Sequence, residues 1–381
     1  MDSTINFSGS MRILIAPDKF KGSLSGFEAA QAIANGISKV DSSFETHLHP
    51  LADGGEGTLE LLDQYLSLKT VHLTVNDPLF RSVKASYRVS GDRAFIELSA
   101  ASGLQLLEAE ERNCLETTTL GTGELVRHAL DQGAREIFLT IGGSATTDGG
   151  MGIAHALGFQ FLDANGQLLD PVGKNLLNVA KISVPALPSF QLTVICDVLN
   201  PFYGPDGAAF VYGPQKGATR EQVKILDEGL RNLAAVFVGQ LGSRINELPG
   251  AGAAGGVGGG MVALLSAKLE SGIDFLMNLT GFEDQLKHSD LVISGEGKLD
   301  LQTLQGKVIA GVGNLAHVYQ KPFFICCGVA DEALREHPPF QARGIVEVKT
   351  PEISTAFAMA NAGQLLENRA FDLIKNYLRE S

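Results

Sequence analysis

The phrase Asp-Gly-Gly-X-Gly occurs twice, from Asp53 to Gly57 and from Asp148 to Gly152, each time between an apolar run and a helix-period run. A carboxylate at such a bend can hold a metal ion, and its glycine neighbours let backbone N–H groups come close to a ligand. Metal-bound phosphate needs that combination, so the repeated phrase predicts phosphoryl transfer.

Other loops supply the charges and hydroxyls such chemistry needs. Ala16 to Ser23 (APDKFKGS) carries Asp18, Lys19, Lys21 and Ser23 between the first strand-like run and the first helix. Ligands of open parallel sheets bind beyond the carboxyl ends of the strands, where this loop would lie; an ordinary loop with Ser23 or Ser25 as helix cap is the plainer alternative. The segment Thr140 to Gly152 adds Gly142, Gly143, Ser144 and Thr147 to the second phrase and reads as a phosphate cradle. Thr117 to Glu124 joins hydroxyls and glycine ahead of a helix, where bare N–H groups attract anions or Thr122 simply caps. Asp197 ends the apolar run Leu192 to Cys196, a position for a catalytic base, a Mg²⁺ ligand or an Asx turn into Pro201. Ser294 to Thr303 brings Glu296, Lys298 and Asp300 into one loop, with Lys307 close behind. The glycine tract Pro249 to Gly260 contains a formal GxGxxG, but no strand precedes it, so a dinucleotide fingerprint is not supported; a binding loop that includes Gly252, Gly255 and Gly256 is expected instead. No GxxxxGK[ST] occurs.

These loops need rigid elements to position them. Five apolar runs read as buried strands: Arg12 to Ala16, Thr46 to Leu51, Asp290 to Ser294, Pro322 to Cys327 and Ile345 to Lys349. Helical stretches are expected at Ser25 to Lys39, Gly57 to Tyr65, Gly306 to Gln320 and Ser354 to Leu378. Two βα units at the front and three at the back make one doubly wound parallel sheet, residues 11–67 plus 287–381, interrupted by a second α/β domain over 68–286. Residues 1–10 read as an N-terminal extension.

The 381 residues carry a formal net charge of −13, which argues against nucleic acid or an anionic membrane surface as partner. Anionic substrates must therefore be gripped by local donors. Four cysteines without CxxC spacing suggest neither a disulfide framework nor a zinc site and fit a reducing cytoplasm; no secretory leader or membrane span is read.

Six phrases in order, IAPDKFKGSLS, PLADGGEGT, IGGSATTDGGMG, CDVLNP, PGAGAAGGVGGG and SGEGKLDLQT, make the chain resemble the class I glycerate kinases from Met11 to the C-terminal helix. The resemblance implies ATP-dependent phosphorylation of D-glycerate with Mg²⁺, most often to 2-phosphoglycerate, the 3-kinase outcome being the alternative. It also implies a flavodoxin-like domain interrupted by a restriction-enzyme-like one, with the active site in the cleft between them, in a monomer or homodimer. On that basis Lys19, Lys21 and Lys298 are expected on phosphates or the glycerate carboxylate, Asp53, Asp148 and Asp300 on the metal, and Asp197 on the hydroxyl proton. Ser23, Gly54, Gly55, Glu296 and the glycines of the later loops would line ATP or substrate. A nicotinamide-dependent hydroxy-acid dehydrogenase, or a non-catalytic module binding a sugar acid or nucleotide, would use similar loops and differs in lacking ADP release.

Overall fold

The structure is a computed structural model that describes residues 10–53, 58–301, 303–304 and 307–380. Among the described residues thirteen strands follow in chain order: β1 (Arg12–Pro17), β2 (Glu45–Leu48), β3 (Lys69–Asn76), β4 (Ser82–Ser90), β5 (Arg93–Glu97), β6 (Glu136–Thr140), β7 (Gln160–Leu162), β8 (Lys181–Ser183), β9 (Gln191–Ile195), β10 (Lys268–Glu270), β11 (Leu291–Leu299), β12 (Phe323–Ala330) and β13 (Gly344–Glu347). The chain divides into two compact units, one from Met1–Leu61 with Ser271–Ser381 and the other Leu62–Glu270.

In the first unit β2, β1, β11, β12 and β13 lie side by side, every pair parallel. Counted within the unit the order is 2-1-3-4-5, the flavodoxin-like arrangement, and it reverses between β1 and β11. Both sheet faces are covered, so the central strands read as continuous apolar runs rather than alternating ones. Ile13, Ile15, Leu291, Ile293 and Phe324 form one core with Ile33 and Ile374 of the flanking helices. Those helices, Gly26–Val40 and Ala362–Glu380, cross with almost no gap. A Cβ on Gly36 would stand 2.2 Å from the Glu367 carbonyl oxygen, so glycine sets the approach. Ser25, one of the two expected caps, opens the first helix with a full capping box to Glu28, while Ser23 Oγ donates to the Phe20 carbonyl at 3.0 Å. The second strand ends at Leu48, short of the expected Leu51; His49 N and Leu51 N still donate to the Ile15 and Pro17 carbonyls, but Pro17 has no N–H to return a bond. The long C-terminal helix is two helices, Thr355–Ala360 and Ala362–Glu380. The unit's second segment begins at Ser271, ahead of 287, since Ile273 and Met277 pack on Gly311 of the helix Val308–Val318.

The second unit holds a mixed sheet in the order β10-β9-β6-β5-β4-β3, with a separate β7-β8 hairpin. The β3-β4 and β4-β5 pairs are antiparallel, and β5, β6, β9 and β10 run parallel. Tyr87, Ile96, Leu125, Leu139, Phe202 and Leu230 sit in its core. Because Thr140 is registered with both Glu97 and Ile195, the loops after β5, β6 and β9 all leave one edge of this sheet.

Candidate functional site

In the first unit a pocket of about 560 Å³ opens at the carboxyl edge of the sheet, at the β1/β11 switch point. Its volume suits a ligand of cofactor size. The loop after β1 contributes Asp18, Lys19, Lys21 and Ser23, and Asp53 follows β2. The extended ends of β11 and β12 contribute Glu296, Lys298, Asp300, Gly328 and Val329. These two strands stay paired beyond their neighbours, with Lys298 opposite Val329 and Leu299 opposite Ala330. The pairing is close because position 328 is glycine, where a Cβ would meet the Gly297 carbonyl oxygen at 2.2 Å.

The pocket's acids are held in unequal environments. Asp18 takes the Lys19 backbone N–H on Oδ1 at 2.6 Å, yet burial raises its pKa to about 6. Burial likewise pushes Glu296 up to about 7, although the Thr303 hydroxyl donates to it. Lys298 Nζ lies 3.0 Å from Asp300 Oδ2 and 3.8 Å from Asp331. Lys307, also in the pocket, is the residue at which the helix Val308–Val318 begins. An ammonium cannot accept a hydrogen bond, so Lys307 gives that helix no side-chain cap and leaves the positive end of its dipole to other partners.

Of the residues expected from sequence, Lys19, Lys21, Ser23, Asp53, Glu296, Lys298 and Asp300 therefore share one pocket. Gly54 and Gly55 lie outside the described residues. Asp18 and Lys307, expected in ligand loops but given no individual role, line the same pocket, and Lys349 and Met359 join it unannounced. For the first three the available signal was position, each at or just past the end of a strand or the start of a helix at the sheet's carboxyl edge.

The second unit corrects two expectations. Asp148 is fully buried, and its carboxylate accepts from Thr119 N at 2.8 Å, Thr119 Oγ1 at 2.7 Å, Gly150 N at 3.1 Å and Gly152 N at 3.2 Å. Burial raises its pKa against those four donors. It is the internal anchor of its own loop rather than a metal ligand. Gly252, Gly255 and Gly256 are likewise buried and face protein: a Cβ would stand 2.2 Å from the Pro201 carbonyl oxygen, 2.1 Å from that of Thr146 and 2.8 Å from the Phe202 ring, respectively. Gly255 and Gly256 also have φ of +70° and +93°, kinking the helix Ala253–Leu265 in which they lie. The tract packs backbone on backbone and is not a ligand loop.

Gly142 and Gly143 are exposed, with open space beside Gly142 and a φ of +72° at Gly143. Ser144 and Thr147 are buried behind them. A lysine that no motif announced holds this loop from below: Lys216, nearly sealed from solvent at 2% exposure, donates to Ser144 Oγ at 2.7 Å and to the Thr146 carbonyl at 2.6 Å. Burial pulls its pKa down to about 8. Thr122 does not cap; it is buried and bonded to Ser102 Oγ and the Leu98 carbonyl. Asp197 is exposed just past β9, at the same sheet edge as Gly142.

Among the described residues no three metal-ligating side chains converge. Mg²⁺ commonly needs only one or two carboxylates beside substrate phosphates, and Asp53 and Asp300 offer hard oxygen donors of that kind. No helix among the described residues is long and apolar enough to cross a membrane.

The glycerate kinase family model matches residues 13–378. A glycerate kinase of Halalkalibacterium halodurans is 43% identical over 94% of this chain and 96% of its own length. A glycerate 2-kinase of Escherichia coli is 44% identical over 82% of this chain and 84% of its own. A crystal structure from Salmonella typhimurium LT2, provisionally named glycerate kinase 2, superposes with a TM-score of 0.85 at 39% identity, covering 98% of this chain and 99% of that one.

Proposed function

This chain belongs to the glycerate kinase family, and from that premise we propose that it transfers the γ-phosphoryl group of ATP to the 2-hydroxyl of D-glycerate, giving 2-phosphoglycerate and ADP. The observation that carries the reading is the pocket in which Lys19, Lys21, Lys298, Lys307 and Lys349 ring a space shared with Asp18, Asp53, Glu296 and Asp300. Phosphoryl transfer asks chiefly for positioning and charge neutralisation, because a loose transition state spreads charge over oxygens that cations must stabilise. In a chain of net charge −13 such a concentration of lysines is the local exception that a polyphosphate requires. A lysine within a few Å of a phosphate oxygen attracts it, and the more so where the bound ligand excludes water. Asp53 and Asp300 are the candidate Mg²⁺ ligands, and the bound ion would neutralise charge on the β- and γ-phosphates. Asp197, exposed at a strand end, takes the proton of the attacking hydroxyl as that oxygen bonds to phosphorus and the bond to the ADP oxygen breaks.

Preference for the 2-hydroxyl rests on the name of the Escherichia coli relative. The four cysteines are free thiols, in keeping with a cytoplasmic location. A coupled ADP-release assay with D-glycerate, followed by phosphorus NMR of the product, tests the reading: glycerate-dependent ADP release with the phosphate on C2 is expected. Rates no higher than background ATP hydrolysis would refute it, and phosphate on C3 would move the assignment to the 3-kinase reaction.

A further inference from the structure

The lining of the first unit's pocket is not all charged. Among its lysines and carboxylates stand Val329, Val348, Ala358, Met359 and Ala362, from the end of β12, the segment after β13 and the last two helices. A three-carbon hydroxy acid is polar all round and has no use for an apolar lining, whereas a purine nucleotide carries a flat apolar ring at one end and its charge at the other. We propose that these apolar side chains seat the purine base, with the phosphates held by the lysines of the same pocket.

Three observations support that placement. Ala358, in the helix Thr355–Ala360, and Ala362, the first residue of Ala362–Glu380, both line the pocket across the break between these helices, and their small side chains leave a flat ring room to lie. Met359 bounds the same space and reaches across to the β1 loop, its methyl 3.0 Å from where a Cβ of Gly22 would be. A flexible, polarisable thioether adapts to a ring face better than a branched side chain does. Finally, the glycine tract at Gly252 to Gly256 is filled by its own neighbours, so it offers the base no place.

This inference rests on the reading that the chain uses ATP, and binding measured without turnover separates the two. Calorimetry is done with ADP and with inorganic tripolyphosphate, each with Mg²⁺, on the wild type and on Met359→Ser. Met359 is 43% exposed, so the variant keeps its fold, which a melting curve checks. About fivefold weaker ADP binding is expected, with tripolyphosphate unaffected because it has no base. Equal weakening of both ligands, or unchanged ADP affinity, overturns the base seat. A wild type that binds ADP with this Met359 dependence yet phosphorylates no glycerate leaves the seat standing and refutes the kinase reading instead. Wild-type protein that binds tripolyphosphate but not ADP overturns both.

Discussion

Replacing Lys216 by Met tests whether a buried ammonium governs the pH response of the second unit. Its pKa falls from 10.5 to about 8 on folding, chiefly because burial strips its water. Between those values the unfolded chain binds a proton that the folded chain does not. Stability must therefore rise with pH across the window, by about 1.4 kcal/mol per pH unit and roughly 3 kcal/mol in all, and below pH 8 the full penalty is present. Met has similar length and no charge. It removes the penalty but leaves Ser144 Oγ and the Thr146 carbonyl without their donor, a loss of about 1–3 kcal/mol for each buried group. The two effects oppose each other, so the net change at one pH decides little and the slope decides the matter. Urea unfolding at intervals from pH 8 to 10 should give wild-type stabilities that climb relative to Lys216→Met. Parallel curves would mean that Lys216 is solvated or paired enough to titrate normally, and the reasoning from its burial would be wrong.

Asp148→Ala strands three backbone N–H groups in a sealed site and should destabilise by about 3 kcal/mol, read as a lower urea midpoint; a neutral result would return the carboxylate to a ligand-binding role. Glu296, with a pKa raised from 4.5 to about 7 by burial, keeps its proton while the unfolded chain has lost it. The ligand-free first unit should thus lose about 1.4 kcal/mol per pH unit between those values, and Glu296→Gln should flatten that slope in melting curves. Gly255→Ala forces a Cβ to 2.1 Å from a carbonyl oxygen at positive φ and should cost at least ~2 kcal/mol, while Gly142→Ala, with open space beside it, should melt like the wild type and raise a substrate KM if the exposed loop touches ligand. Asp197→Asn should lower kcat with little change in melting temperature, and full activity would remove its role as base.

Much of the first unit could be read from its apolar runs. Arg12 to Ala16 and Pro322 to Cys327 are central parallel strands because nothing polar interrupts them, and the rule that ligands sit beyond the carboxyl ends then gathers Lys19, Asp53 and Glu296 into one place. The glycine tract and Asp148 were misjudged for a shared reason. A glycine that admits a phosphate also admits another backbone, and a carboxylate that could hold a cation can equally hold three N–H groups. Local sequence does not reveal which neighbour arrives. Lys216 was invisible because a lysine beside Pro214 and Gly217 looks solvated until Ser144 and Thr146, some seventy residues earlier, close over it. The apolar lining at Met359 left no trace either, since small and flexible side chains on a helix read as ordinary packing.

The bond from Ser294 Oγ to the Ala16 carbonyl, 2.7 Å long, joins residues 278 apart in the chain. β1 cannot gain its second neighbour until β11 has been synthesised, and the lysines of the pocket come from both extremes of the polypeptide. A ribosome that has finished the Leu62–Glu270 unit holds a nascent chain in which β1 and β2 still wait with one edge bare. Long-range parallel pairing of this kind is slow and prone to stray association. Catalytic competence must then arrive abruptly at the end of translation, and the protein's vulnerable interval is the time during which its opening strands have no partner to close upon.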